Sequence, residues 1–349
     1  MTELYPDNAH FIYELLQNAE DTEADSVRFM LSNEGIRFEH NGQRLFNLKD
    51  VQSITSIGVS TKRNDPTAIG KFGVGFKAVF AYTNTPEIHS GDFHFKINDL
   101  VVPESLSSTA DDGATVFHFP FDNPKKDPAK AVEEVERGLR ALAENTLLFL
   151  NHIREIEYLL PNRESGNLKR VDADGKGIGQ RIEIHAIQPG RAKTVSNWLR
   201  YRNEVSITDT DEPGNTKTCQ VAIAFRIEPE TDDSESVQDN EKKSKRKVVK
   251  PKAEWRIVPC EPGQVSIFFP AEKETSNLRF HLHAPFASTV ARDSVRDCNA
   301  NERLRDALAQ LTTEAMADIR ERGLLTMSFL AVLPNKGDGL SSRSRWDFF

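Results

Sequence analysis

Residues Ile69 to Phe80 read Ile-Gly-Lys-Phe-Gly-Val-Gly-Phe-Lys-Ala-Val-Phe, three glycines within six positions and an apolar run directly behind them. Glycine lets a backbone take positive φ and lets it come close to a ligand. A glycine turn that opens into a helix aims free backbone N–H groups forward, and the helix dipole favours negative charge at that spot. The stretch therefore predicts a phosphate cradle made by Gly70, Lys71, Phe72, Gly73, Val74, Gly75 and Phe76. The spacing G-x-x-G-x-G is neither the Walker A pattern nor the dinucleotide fingerprint. On spacing alone, a flexible loop in front of a buried helix accounts for it equally well.

Upstream, His10 to Ala24 has the period of an amphipathic helix, with Phe11, Leu15 and Ala19 on one face and Ile12 and Leu16 on its flank. Glu14, Asn18 and Asp21 fall at i, i+4 and i+7 on another stripe. Two carboxylates with an amide between them make a candidate site for a hard cation, which prefers oxygen ligands. The same triplet also fits a solvated polar face. Short alternating runs at Asp25–Leu31 and Gly35–Glu39 predict a hairpin, closed by the turn His40-Asn41-Gly42. A short helix is expected over Leu48–Ile57, then a polar loop from Gly58 to Pro66, carrying Lys62, which could close over a ligand or simply cover the surface.

Strands are expected at 87–90, 93–97 and 115–119, and a long helix from Pro128 to Leu150. Beyond it come strands at 153–160 and 181–187, a helix near Ala192–Tyr201, strands at 221–227, 255–258, 265–269 and 278–283, and a helix over Asn301–Ile319. With 349 residues the chain is long enough for about two domains, expected at 1–148 and 149–349. Residues 228–252 are acidic and then basic, with almost nothing apolar, and read as a charged flexible insertion. The basic run Lys242–Lys252 is the sole support for nucleic-acid binding, against a net charge of −8. The three cysteines, Cys219, Cys260 and Cys298, lie far apart and suggest neither zinc nor disulfides. No apolar run reaches membrane-spanning length and no signal peptide is evident, so a cytoplasmic protein with no membrane partner is expected.

Three of these stretches together resemble a known superfamily. Glu14-Leu15-Leu16-Gln17-Asn18-Ala19-Glu20-Asp21 looks like the N-box helix of the GHKL ATPases, which include gyrase, the ninety-kilodalton heat-shock chaperones, histidine kinases and MutL. Ile69–Phe80 resembles the chaperone class's glycine motif, and Gly113-Ala114-Thr115 its later Gly-Thr strand motif. The wording is closer still to the sacsin and NO VEIN-type subgroup. Leu4–Tyr13 is similar to it, as are Phe268-Phe269-Pro270 and Phe280–Phe286, with an arginine-bearing turn from Ala287 to Arg296 behind them.

The resemblance implies an α/β (α+β) chain: a Bergerat-fold two-layer sandwich of helices on a mixed, mostly antiparallel sheet, then a transducer-like α+β domain. It implies ATP and Mg2+ as cofactors. Glu14 would match the general base and Asn18 the magnesium ligand, with Asp21 orienting the helix or joining the nucleotide's water network. Residues 70–76 would face the phosphates, and Thr115 the adenine side. Lys62 and Lys77 would be secondary candidates for phosphate contact, and Arg292 or Arg296 for the γ-phosphate. The superfamily usually has an aspartate in Asp-x-Gly where this chain has His40-Asn41-Gly42, so Asn41 is the expected adenine acceptor, next to Gly42. His281 and His283, without acidic or thiol partners, read as structural.

The leading expectation is an ATP-hydrolysing conformational module of chaperone type. Alternatives are a non-catalytic nucleotide-gated scaffold and a DNA-processing ATPase of MutL or topoisomerase type; a role in bacterial anti-viral defence is analogy. A homodimer, and further domains or partner proteins beyond the chain, are compatible with the resemblance.

Overall fold

The computed structural model describes residues 10–56, 75–108, 113–173, 178–208, 216–230, 255–288, 294–296 and 298–333. The chain runs α1 (Phe11–Asp21), β1 (Ser26–Leu31), β2 (Gly35–His40), α2 (Leu48–Thr55), a 3-10 helix over Phe76–Ala81, β3 (Glu87–Ser90), β4 (Phe93–Asn98), β5 (Val102–Ser105), β6 (Thr115–Pro120), α3 (Pro128–Ala141) and a 3-10 turn at Glu144–Leu147. It continues with β7 (Glu155–Leu159), β8 (Ser165–Asp172), β9 (Gly179–Ile187), β10 (Thr194–Thr208), β11 (Thr216–Pro229), β12 (Trp255–Val258), β13 (Gln264–Ile267), β14 (Phe269–Thr275), β15 (His281–His283), α4 (Asn299–Glu321) and a 3-10 helix over Met327–Ala331.

The architecture is α+β on a mixed, mostly antiparallel sheet. Strands are bonded in the order β14-β13-β15-β11-β10-β9-β8-β7-β1-β2-β6-β3-β4-β5, with β12 beside β11. The parallel pairs are β1 with β7 and β13 with β15. Because β7 adds to β1, the sheet passes without a break through the division expected at 148/149.

Strand alternation sorts the core. Trp198, Ala222 and Ala224 join a cluster containing Phe11, Leu15, Phe29, Phe117 and Leu139. Their neighbours Leu199, Tyr201, Val221, Ile223 and Phe225 join a second cluster with Leu304, Leu308, Leu311, Ala315 and Ile319 of α4. Successive residues of β10 and β11 point to opposite faces, so these strands carry one core on each side. The first cluster lies under α1 and α3, the second under α4.

Helix ends follow local chemistry. Asn47 caps α2 by accepting from Lys49 N and Asp50 N, and Asp50 accepts in return from Asn47 N. Asp127 caps α3, with Pro128 in the first turn.

Two elements differ from expectation. Helix α3 stops at Ala141 rather than continuing to Leu150, because Leu142 leaves helical geometry at ψ 111°. Leu147, Leu148 and Leu150 are each within 1% of full burial, an all-round demand that a one-sided helix does not meet. The expected helix at 192–201 is β10, bonded on both sides, to β9 and to β11. Its alternation is disguised because Ser196 and Arg200 occupy inward positions beside Trp198. β5 and β8 are additional strands; all four residues of β5 are exposed, so no alternation announces it.

His281 and His283 are buried on β15, and each accepts a backbone N–H through Nδ1, from Gln264 and Phe268 respectively. His283 stacks on Phe149 and His281 lies against Trp198. Burial holds both rings neutral, pushing His281 down to about 4 and His283 to about 3 from 6.5. As pH falls below 6.5 the unfolded chain takes up protons that these folded rings refuse. Their contribution is therefore complete above that pH and drains away as pH falls toward the folded values, by about 2 kcal/mol per ring at pH 4.5. Urea unfolding from pH 7 to 4.5 should show this loss, and His283→Asn, which keeps an acceptor but does not titrate, should flatten the slope.

Candidate functional site

Helix α1 is buried on its polar side as well as its apolar one. Glu14 is 5% and Asn18 4% exposed, while Asp21 is half-buried at the end of the helix. The stripe is thus not a solvated face. A buried carboxylate needs nearby dipoles or charge to offset lost hydration. His10 Nε2 lies 3.9 Å from Glu14 Oε1. On the other side the backbone of Gly75 comes in so close that a Cβ there would overlap Glu14 Oε2 and stand 2.5 Å from its Cδ. Gly75 has an ordinary φ of −67°, so its glycine is required by close approach and not by backbone conformation.

Gly75 leads into the 3-10 helix Phe76–Ala81. Phe76 is buried, with its ring 6.0 Å from those of Phe117 and Phe119 on β6, so it anchors the turn to the sheet. Lys77 Nζ donates to the carbonyl of Ser56 at 2.5 Å, which ties together the residues on either side of 57–74. Burial lowers the pKa of Lys77. Lys62, Gly70, Lys71, Phe72, Gly73, Val74 and Arg292 lie outside the described residues.

Beneath α1, His40 on β2 stands opposite Thr115 on β6. Thr115 is buried, and its hydroxyl pairs with Ser90 Oγ at 2.6 Å, which also accepts from Phe46 N. His40 is buried against Phe38 and Phe117, and burial pushes its pKa down to about 4. Its Nδ1 accepts from Gly42 N at 3.2 Å, so in the neutral ring Nε2 carries the hydrogen. A Cβ on Gly42 would overlap Thr22 Oγ1 and stand 2.9 Å from His40 Nδ1, so the turn also needs glycine for space.

Asn41 is the expected adenine acceptor of this turn, and in the structure it is bonded to backbone. Its Oδ1 accepts from Asp25 N and Ser26 N, at 2.9 Å each, and so serves the start of β1. The buried polar group of this turn is His40, one residue earlier in the same tripeptide. Arg296 has an exposed side chain and is fixed by its backbone, its N–H to Ala287 O and its carbonyl to Asn301 Nδ2. The second half reaches α1 through Phe269, whose ring lies 5.0 Å from that of Tyr13, next to Glu14.

Among the described residues no group of three or more His, Cys, Asp or Glu is placed to hold a metal. One carboxylate and one amide on a buried stripe fit an ion that takes most of its ligands from phosphate and water, as Mg2+ does. Sequence reasoning missed Glu20, whose buried carboxylate at the end of α1 accepts from the backbone N–H groups of residues 151–153. Its one signal was an extra acid inside the Asn18–Asp21 motif.

The Sacsin domain family model matches residues 38–102. Protein NO VEIN of Arabidopsis thaliana is 33% identical over 254 residues, 65% of this chain and 9% of that protein. Sacsin of Homo sapiens is 32% identical over 104 residues, 25% of this chain and 2% of that protein. The chain therefore spans only a small part of either relative. The B-subunit of the DNA gyrase from Myxococcus xanthus overlays 59% of this chain and 67% of its own, with a TM-score of 0.34 and 12% identity. The chain is thus similar to a Sacsin domain from β2 to β5, and to NO VEIN over 65% of its own length.

Proposed function

We propose that this chain is an ATP-binding, slowly hydrolysing module in which Glu14 activates the attacking water. The observation that supports this reading is the buried Glu14–Asn18 stripe of α1, pressed against the final glycine of the 70–75 motif. A general base needs a carboxylate within hydrogen-bond reach of water and shielded from competing solvent. Glu14 has the shielding, with His10 Nε2 3.9 Å from its Oε1.

Asn18, a neutral oxygen donor on the same stripe, would hold Mg2+ without adding negative charge beside a triphosphate. Mg2+ bound there would offset phosphate charge during phosphoryl transfer. The backbone N–H groups of the 70–75 motif would meet the phosphates, with Lys62 and Lys71 as further cations and Arg292 or Arg296 as the arginine supplied from outside the pocket. Thr115 and His40 would line the base side from the sheet.

Single-turnover hydrolysis with Glu14→Ala tests the base. Loss of at least about 100-fold in rate, with ATP affinity kept within a few fold, is expected for a general base. Equal rates in mutant and wild type would remove Glu14 from that role, and wild-type binding without any turnover would make the chain a nucleotide-gated scaffold.

Gly75 gives a second prediction. Gly75→Ala should lower stability by about 1–3 kcal/mol, because the new methyl meets the Glu14 carboxylate. Combined with Glu14→Ala the cost should shrink, giving a coupling of about 1 kcal/mol or more in urea unfolding. Additive effects would mean that the two groups do not touch.

A further inference from the structure

Glu20 sits in the last turn of α1, where the helix dipole disfavours a carboxylate, and it is 2% exposed. Its charge is met by three consecutive backbone amides. Oε1 accepts from Asn151 N at 2.5 Å and His152 N at 3.0 Å, and Oε2 accepts from Ile153 N at 2.9 Å. Successive amides of this kind form an anion-binding concavity.

The carbonyls of the same stretch are gripped from the opposite direction. Arg170 on β8 donates through Nη1 to Leu147 O at 3.0 Å and Leu150 O at 2.5 Å, and through Nη2 to Asn151 O at 3.2 Å. Arg200 on β10 donates through Nη1 to Leu148 O at 2.7 Å. Both guanidiniums are almost fully buried, at 3% and 2% exposure. Burial works against their charged form, while Asp172 and Glu20 favour it. Arg202 adds a bond to Asn151 Oδ1.

Residues 151–153 therefore have their N–H groups held by the helix that carries Glu14 and Asn18, and residues 147, 148, 150 and 151 have their carbonyls held by two strands of the second half. Charged hydrogen bonds in a dry setting are strong, and losing one partner leaves the others buried and unsatisfied. The segment is rigid for that reason, and Glu20 lies 6 residues from Glu14 on one short helix.

We propose that Glu20 is a positioning residue: through the 147–153 clamp it fixes the placement of Glu14 and Asn18 relative to β8 and β10, and it passes changes at the nucleotide site to the second half. The part concerning nucleotide rests on the function proposed above; the mechanical coupling does not.

Amide hydrogen exchange on the full chain tests the coupling without nucleotide. Glu20→Gln should speed exchange at Asn151, His152 and Ile153 by about tenfold, and Glu20→Ala by about 100-fold. Arg200→Met, remote from α1 in sequence, should speed exchange at residues 18–21 in the last turn of α1 by about tenfold. If Arg200→Met leaves those residues unchanged in a folded protein, the coupling is overturned. Where Glu20→Ala does not fold, Glu20→Gln serves alone.

With Mg-ATP, wild type should show slower exchange at 151–153 by fivefold or more, and Glu20→Gln should lose that response. In turnover, Glu20→Gln should lower kcat about tenfold with KM within threefold, the split expected from a misplaced base. ATP turnover that proceeds normally in Glu20→Gln, with no response at 151–153 in wild type, overturns the transmission role. Absence of ATP binding in wild type overturns the functional reading and the transmission with it, and the nucleotide-free arm then still decides the coupling.

Discussion

A helix buried on both its apolar and its polar face is the constraint around which this structure is arranged. Phe11, Leu15, Leu16 and Ala19 of α1 fill the first core, and on that face burial is favourable in itself. Glu14, Asn18 and Glu20 are buried too, and there burial is costly unless each group meets a partner. Much of the surrounding fold can be understood as the supply of those partners. Gly75 brings backbone to Glu14, and residues 151–153 bring backbone to Glu20. The amides that meet Glu20 come from an irregular segment, since those of a regular element are already spent.

Pairing β7 alongside β1 in parallel gives this arrangement its connectivity. A parallel neighbour requires the chain to cross back over the sheet, and the crossover includes α3 and the buried Leu147–Leu150 run. That return path delivers the 151–153 amides to the end of α1. The same run offers its carbonyls to Arg170 and Arg200, which fill inward positions on β8 and β10. The face of β10 that holds Arg200 is the first core, while Leu199 and Tyr201 face α4 across the sheet.

What was legible in the sequence follows from how local each interaction is. The i, i+4 spacing of Glu14 and Asn18, the alternation of β1 and β2 and the period of α4 are carried by neighbours a turn or two apart. Each reads correctly from the chain alone. β10 did not, because its inward positions include Ser196 and Arg200, and a polar residue at a buried position erases the period-two signal. Its inward polarity makes sense only once Leu148 O and Gln180 are known to lie opposite Arg200. The end of α3 was overrun for the complementary reason. An apolar run from 147 to 150 extends a helical pattern on paper, while in space the chain leaves the helix at Leu142 and buries that run on all sides. Within the turn, His40 is the buried side chain and Asn41 serves the start of β1. The tripeptide marks a turn whichever side chain faces inward, and only the register of β2 against β6, with His40 opposite Thr115, decides between them.

The unbroken sheet limits how the two halves can move against each other. Two domains joined by a linker can swing about it, but strands bonded from β5 through to β14 cannot separate without breaking backbone ladders. Motion between the halves is then restricted to changes in sheet twist and to shifts of what packs on its faces. The contacts on those faces that bridge α1 to the second half are specific: Tyr13 on Phe269, and Glu20 on the segment clamped by Arg170 and Arg200. The first is apolar and tolerates sliding. The second is a buried set of charged hydrogen bonds with fixed directions, and a small displacement of α1 there must either move 147–153 with it or leave charge unpaired. Of these two contacts between described residues, the second is the one whose directed bonds tie the position of α1 to β8 and β10.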